Sequence, residues 1–307
     1  MKGVRRVVFI MVAVQAAIVI IFAALVFSGR ITLDSASSSG ASAQAATPTR
    51  VNRFDERRAF ALLREQVALG PRPAGSPASQ RLAERLRRLL PRARFQPVPG
   101  GLRNVIASVP GRDPRRAVVV GAHYDTKDLP GFVGANDGAS GTAALVELAR
   151  GLEPRTIRPT VIFVLFDGEE SPADAGDFEF EAKGLRGSKV AAPALAARRP
   201  RPEAMILLDF VGDRRLSIPR ERNSDERLWA RLRAAAGRVG AATAFPGGTR
   251  GAISDDHVPF LAARIPSIDL IDFDFPCFHE TCDNLGAVSS GSLNTSGEAV
   301  AELLHTL

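Results

Sequence analysis

The stretch Val118–Arg150, "VVVGAHYDTKDLPGFVGANDGASGTAALVELAR", opens on an apolar run and closes on a pattern of helical period. The valines Val118, Val119 and Val120 read as a strand covered on both faces, the habit of parallel strands. Between strand and helix stand His123, Asp125 and Asp137 among glycines. Residues just past the ends of strands in open α/β sheets line the crevice where ligands bind. This one stretch therefore predicts an architecture and, at its hinge, a site.

Outward from it the same grammar recurs. "NVIASV", "AVVVGAH", "TVIFVLFD", "AMILLDFV" and "SIDLIDFD" are short β-rich runs. Helix-like segments lie between and after them: Gly141 to Leu152, Leu228 to Val239 and Ser292 to Leu304. Upstream, Phe60, Leu63 and Val67 share one helical face, "GPRPAGSP" breaks the chain, and a second helix carries Leu82, Leu86 and Leu89. The predicted fold class is α/β, a mostly parallel central sheet with helices on both faces.

The 307 residues, 45% of them hydrophobic, suffice for one large domain of this kind. A net charge of +7 and a pI near 10.3 invite nucleic acid as a partner. The arginines are spread over many segments with no stacked-aromatic or Gly-rich RNA motif between them, so no nucleic-acid partner is expected. At the N-terminus Lys2, Arg5 and Arg6 precede an uncharged apolar run from Val7 to Phe27, long enough to cross a bilayer. Residues 1–28 read as a membrane anchor or signal segment. An uncleaved anchor is favoured, because the run is long and the small-residue match Ala43-Gln44-Ala45 lies well downstream. Residues 29–50, rich in Ser and Ala, read as a flexible linker, and a catalytic body spans 51–307. That body is expected outside the cytoplasm, membrane-anchored, or secreted if the segment is cleaved. Export predicts a disulfide between the only two cysteines, Cys277 and Cys282.

Four strand-like runs end in acidic or histidine residues: His123 and Asp125; Asp167, Glu169 and Glu170; Asp209; Asp272 and Asp274. His279 follows in "CFHETCDN". Parallel strands gather these groups at one sheet edge, as a metal site requires. His123, Asp137, Glu170, Asp209 and His279 are the candidate ligands, a mixed His and carboxylate set suited to zinc. The pair Glu169-Glu170 separates two tasks, one carboxylate on the metal and its neighbour free to move protons. Asp125 is placed to accept a hydrogen bond from a nearby imidazole or to orient a ligand. The small-residue loop "GFVG", Gly131 to Gly134, is expected to shape a pocket wall.

"GAHYDTK", "ANDGASG", "LFDGEE", "LLDFVG", "SDDHVPFL" and "FHETCDN", in this order and with these gaps, resemble the M28 zinc metallopeptidase superfamily and, within it, the glutaminyl cyclases. The resemblance runs from Phe54 to Leu307 and implies a zinc-aminopeptidase-like, phosphorylase/hydrolase-like sandwich. In the cyclase branch it implies one zinc on Asp137, Glu170 and His279, with Glu169 shuttling a proton and Asp209 and Asp255 in a carboxylate network. In the aminopeptidase branch it implies two zinc ions, with His123 and Asp209 added, Asp137 bridging and Glu169 as base. Animal-type cyclases carry tryptophan before the metal histidine. Here Phe278 takes that place, lining a smaller apolar pocket, and the lone Trp229 falls on a surface-type helix. The expected activity is cyclisation of N-terminal glutamine of peptides to pyroglutamate with release of ammonia; the alternatives are aminopeptidase hydrolysis and a non-catalytic membrane-anchored ectodomain.

Overall fold

The computed structural model describes residues 52–175 and 179–307. The expected anchor and linker lie outside the described residues, and among those described no helix is long and apolar enough to cross a membrane. In chain order come helices α1 (Glu56–Ala68) and α2 (Pro77–Leu89), then strands β1 (Arg94–Val98), β2 (Leu102–Val109) and β3 (Ala117–His123). Helix α3 (Ala139–Gly151), β4 (Thr160–Phe166), the short α4 (Phe180–Lys183) and α5 (Arg186–Ala196) follow. The remainder is β5 (Met205–Leu208), α6 (Glu226–Arg238), α7 (His257–Ala262), β6 (Ser267–Leu270) and α8 (Ser290–Thr306).

The strand order is β1-β2-β4-β3-β5-β6. Strands β4, β3, β5 and β6 run parallel, while β2 is antiparallel to both β1 and β4. The mostly parallel expectation holds for the strands that carry the site. The edge strand β1, "RFQPV", escapes a sequence reading because only one of its five residues is buried and it contains a proline, which edge strands tolerate.

Alternation along the central strands sorts side chains into two layers. Val118, Val120, Val161, Phe163, Leu165, Ile206 and Leu208 face a core shared with α1, α2, α3, α6 and α8. Val119, Ile162, Val164, Phe166, Met205 and Leu207 face a smaller core closed by α5 and α7. Both faces are covered, which is why these strands read as continuous apolar runs. Helix α1 turns Ala59, Leu62 and Leu63 inward, leaving Phe60 and Val67 at the margin. Trp229 corrects the sequence expectation: it is buried, edge-on to Phe245.

Helix starts are set locally. Asp55 accepts the amides of Arg57 and Arg58, and Ser76 accepts that of Ser79 with Pro77 in the first turn. Helix α3 relies instead on close approach to the sheet. A Cβ at Gly141 would lie 2.0 Å from the Leu208 carbonyl oxygen, a backbone atom that cannot yield alone. Gly141→Ala should therefore push α3 off β5 and destabilise the chain by about 1–3 kcal/mol, read as a fall in Tm of roughly 2–4 °C per kcal/mol. An unchanged Tm would show that this contact is not tight.

Candidate metal centre

Each carboxyl end of β3, β4 and β5 delivers part of the site. His123 is the last residue of β3, Glu169 and Glu170 follow β4, and Asp209 follows β5. Asp137 comes from the β3–α3 connection, two residues before the start of α3. A carboxylate at a helix N-terminus is favourably placed. His279 lies in the segment between β6 and α8.

These side chains form two triads that share one residue. His123, Asp137 and Asp209 offer ligand atoms within 4.8 Å of one another, and so do Asp137, Glu170 and His279. His123 Nε2 is 3.3 Å from Asp137 Oδ1 and 3.3 Å from Asp209 Oδ1. On the other side, His279 Nε2 is 3.5 Å from Asp137 Oδ2 and 3.3 Å from Glu170 Oε1. Asp137 thus presents one oxygen to each triad. All five candidate ligands converge; His279 is the least buried.

Polar satisfaction points to a cation. Asp137 Oδ2 and Glu170 Oε1 are buried without a hydrogen-bond partner, a costly condition for a carboxylate oxygen. Asp125, Asp137, Glu169, Glu170, Asp209, Asp255 and Asp256 are all buried together. Crowding and burial make several of them harder to ionise. Burial pushes Asp137 up to about 7, with Glu170 adding to the rise. Burial also raises Glu169 and Asp255 well above the carboxylate range, Glu169 helped by Glu170, Asp255 and Asp256, and Asp255 by Asp209 and Asp256. For Glu170, burial is outweighed by His279, His123 and Lys127, and its carboxyl sits below the ordinary value. The donor set fits a divalent metal with His and carboxylate ligands.

The residues behind the ligands are partly new. Asp125 Oδ1 is 3.7 Å from His123 Nδ1, too long for a hydrogen bond; its two oxygens instead accept the amides of Glu169 and Glu170, at 3.2 Å each. It holds the pair rather than the imidazole. Asp283 escaped the sequence reading: its oxygens accept the amides of Asn136 (2.7 Å) and Asp137 (3.0 Å), tying the His279 segment to the shared ligand. Its position inside "FHETCDN" was the only signal. Lys127 reaches Glu170 Oε2 at 3.4 Å and Ser171 Oγ at 2.7 Å. Cys277 and Cys282 are disulfide-bonded around the segment that carries His279.

Other expectations need correction. Asp167 accepts the Arg103 amide, Asp272 the Ser217 amide, and Asp274 pairs with Arg250. Asp167 and Asp272 hold backbone amides 64 and 55 residues away, Asp274 serves a surface ion pair, and none of the three belongs to a triad. The "GFVG" loop does not line the cleft; Phe132 is buried edge-on to His279, and the Val133 and Gly134 carbonyls accept from the fully buried Arg72.

A cleft of about 370 Å³ opens over the triads, with Asp137, Glu169, Glu170, Asp209 and Asp255 among its lining residues. One wall is apolar, built from Phe210, Ile271, Phe273 and Phe278. Phe278 stacks on His279 at 3.9 Å between ring centroids.

The sequence pattern of peptidase family M28 matches residues 104–304, the span from β2 to α8 that holds every one of these groups. The chain belongs to peptidase family M28. A probable zinc metalloprotease of Leptosphaeria maculans is 37% identical over 126 residues, 38% of this chain and 26% of its own length. The glutaminyl-peptide cyclotransferase of Bos taurus is 29% identical over 238 residues, 62% of this chain and 63% of its own. The chain therefore spans less than two thirds of the length of these curated relatives. Among solved structures, an Acidobacteriales bacterium glutaminyl cyclase superposes with a TM-score of 0.71 at 28% identity, covering 85% of this chain and 96% of that one. A leucine aminopeptidase precursor from Bacteroides thetaiotaomicron does so with a TM-score of 0.73 at 26% identity, covering 83% and 98%. M28 membership, with a zinc metalloprotease among the relatives, implies zinc as the metal.

The shared position of Asp137 sets an order of sensitivity. Asp137→Asn should remove zinc altogether, whereas Glu170→Ala and His279→Ala should greatly weaken it, as measured by elemental analysis after dialysis. Asp125→Asn should weaken binding by about 10–100-fold, through displacement of the Glu169-Glu170 backbone. Full zinc content in both Glu170→Ala and His279→Ala would refute the assignment.

Proposed function

We propose that this M28 chain is a zinc-dependent glutaminyl-peptide cyclotransferase, acting on the N-termini of peptides or proteins. The observation that carries an acid–base reaction beside a metal is Glu169. It is buried at the cleft beside Glu170, belongs to neither triad, and is held by burial well above the usual carboxylate range. Cyclisation is preferred over hydrolysis because "HYDTK", "DGEE" and "SDDHVPFL" resemble the cyclase branch; the solved cyclase and the solved aminopeptidase superpose on the chain about equally well and do not separate the two.

Asp137, Glu170 and His279 would hold one zinc ion, which supplies Lewis acidity toward the γ-carboxamide carbonyl of an N-terminal glutamine. The cleft holds the α-amine against that carbonyl carbon. Glu169 accepts the amine proton as the new C–N bond forms and returns a proton to the departing ammonia as the old C–N bond breaks. Asp209 and Asp255, lining the same cleft, accept or share protons beside Glu169. The apolar wall limits water, the competing nucleophile.

The intact second triad favours an alternative, a dinuclear M28 aminopeptidase, since His123 and Asp209 stand ready for a second ion. A non-catalytic ectodomain is poorly supported, because neither a ligand nor the carboxylate base is missing. Export of the body, anchored or released, accords with the disulfide.

Glu169→Gln should keep the fold and the zinc while kcat falls by about a hundredfold to ten-thousandfold. The wild-type chain, incubated with glutaminyl and leucyl peptides, should release ammonia and no free leucine. Free leucine without ammonia, with two zinc ions per chain, would establish the aminopeptidase instead.

A further inference from the structure

Among the described residues the exposed large hydrophobic side chains are Phe273, 45% exposed, and Phe278, 41% exposed. Both lie on the same wall of the cleft over the metal centre, with ring centroids 5.1 Å apart. The deeper residues of that wall, Phe210 and Ile271, are 2% and 3% exposed. Phe210 underlies the pair, near-parallel to Phe273 at 6.4 Å and edge-on to Phe278 at 5.8 Å. Its backbone is in the left-handed region, φ 43°, and so is that of His279, φ 54°. Bulky residues in that conformation are uncommon. The result is a continuous aromatic surface running from the imidazole of His279 to the mouth of the cleft.

Two neighbouring phenylalanines left in water beside a reaction centre await an apolar partner. The partner's identity follows from depth. A peptide reacting at its N-terminus must place its first residue at the buried floor, beside Glu169 and the triads. Its second residue then leaves past the exposed rim. We infer that Phe273 and Phe278 form a ledge that binds the side chain of the substrate's second residue and selects large apolar or aromatic groups there. This rests on the proposal that peptide N-termini are the substrate, and it applies to cyclisation and hydrolysis alike. Phe273 is the selective element, since Phe278 also stacks on His279.

The full-length zinc-loaded chain is assayed with Gln-Phe, Gln-Gly, Leu-Phe and Leu-Gly amides, and their dissociation constants are measured by calorimetry. Wild type should favour phenylalanine over glycine at the second position by about threefold to tenfold, the worth of one aromatic contact. The preference should appear in KM rather than kcat, because the ledge grips ground state and transition state alike. Phe273→Ala should erase it, and Phe273→Tyr should retain it. Equal handling of the two peptides by wild type, or a preference that survives Phe273→Ala, overturns the ledge. Leucine release without ammonia sinks cyclisation alone and leaves the ledge to be read from the leucyl pair. If neither pair turns over, the dissociation constants make the same comparison and decide it.

Discussion

Asp137 stands between two imidazoles with one oxygen toward each, and the surrounding structure is arranged to keep it there. Its amide is held by Asp283. The next residue, Gly138, has φ 83°, and a Cβ there would lie 2.6 Å from the Asp125 carbonyl oxygen, so glycine alone fits. One turn on, Gly141 lets α3 settle against β5. On the far side, Arg72 caps the Val133 and Gly134 carbonyls and brings a buried positive charge near Asp137, Asp125 and Asp283. Three separate segments thus converge on this connection and the first turn of the helix that follows it.

The electrostatic consequence is a concentration of buried carboxylates that the protein's own cations only partly offset. His123 is drawn well above the imidazole range: burial works against it, and Asp125, Asp137 and Asp209 prevail. His279 rises for the same reason, with Glu170 prevailing over burial. Further back, His257 lies fully buried between Glu221 (3.3 Å) and Asp269 (3.7 Å), extending the charged interior behind Asp255 and Asp256. Such an interior is stable only with fixed positive charge or retained protons. A divalent metal supplies the fixed positive charge.

The same geometry separates two adjacent glutamates. Asp125 binds both amides, fixing the backbone of Glu169 and Glu170 as a unit. Glu170 points into a triad and lies below its ordinary pKa, while Glu169 faces the cleft and lies well above. Opposite them the aromatic wall lowers the local dielectric, which strengthens every charge interaction at the floor.

Much of this was legible in the residues themselves. The short, continuous, β-branched apolar runs read as strands covered on both sides, and parallel strands place their C-terminal residues at one edge; hence His123, Glu170 and Asp209 were readable as a set. Asp137 and His279 were legible through their motifs. Acidic residues at strand ends are ambiguous, however: Asp167 and Asp272 turn to backbone amides, and nothing in their local sequence distinguishes them from Asp209. Asp283 and Arg72 act across 146 and 61 residues of chain, on Asp137 and Val133, distances over which no local pattern carries information. The sequence by itself determined which chemistry the chain can hold, because ligand type and strand period are local properties. Only the tertiary structure decided that Asp137 is shared and that Phe273 and Phe278 meet at the rim, because both depend on where loops from different strands come to rest.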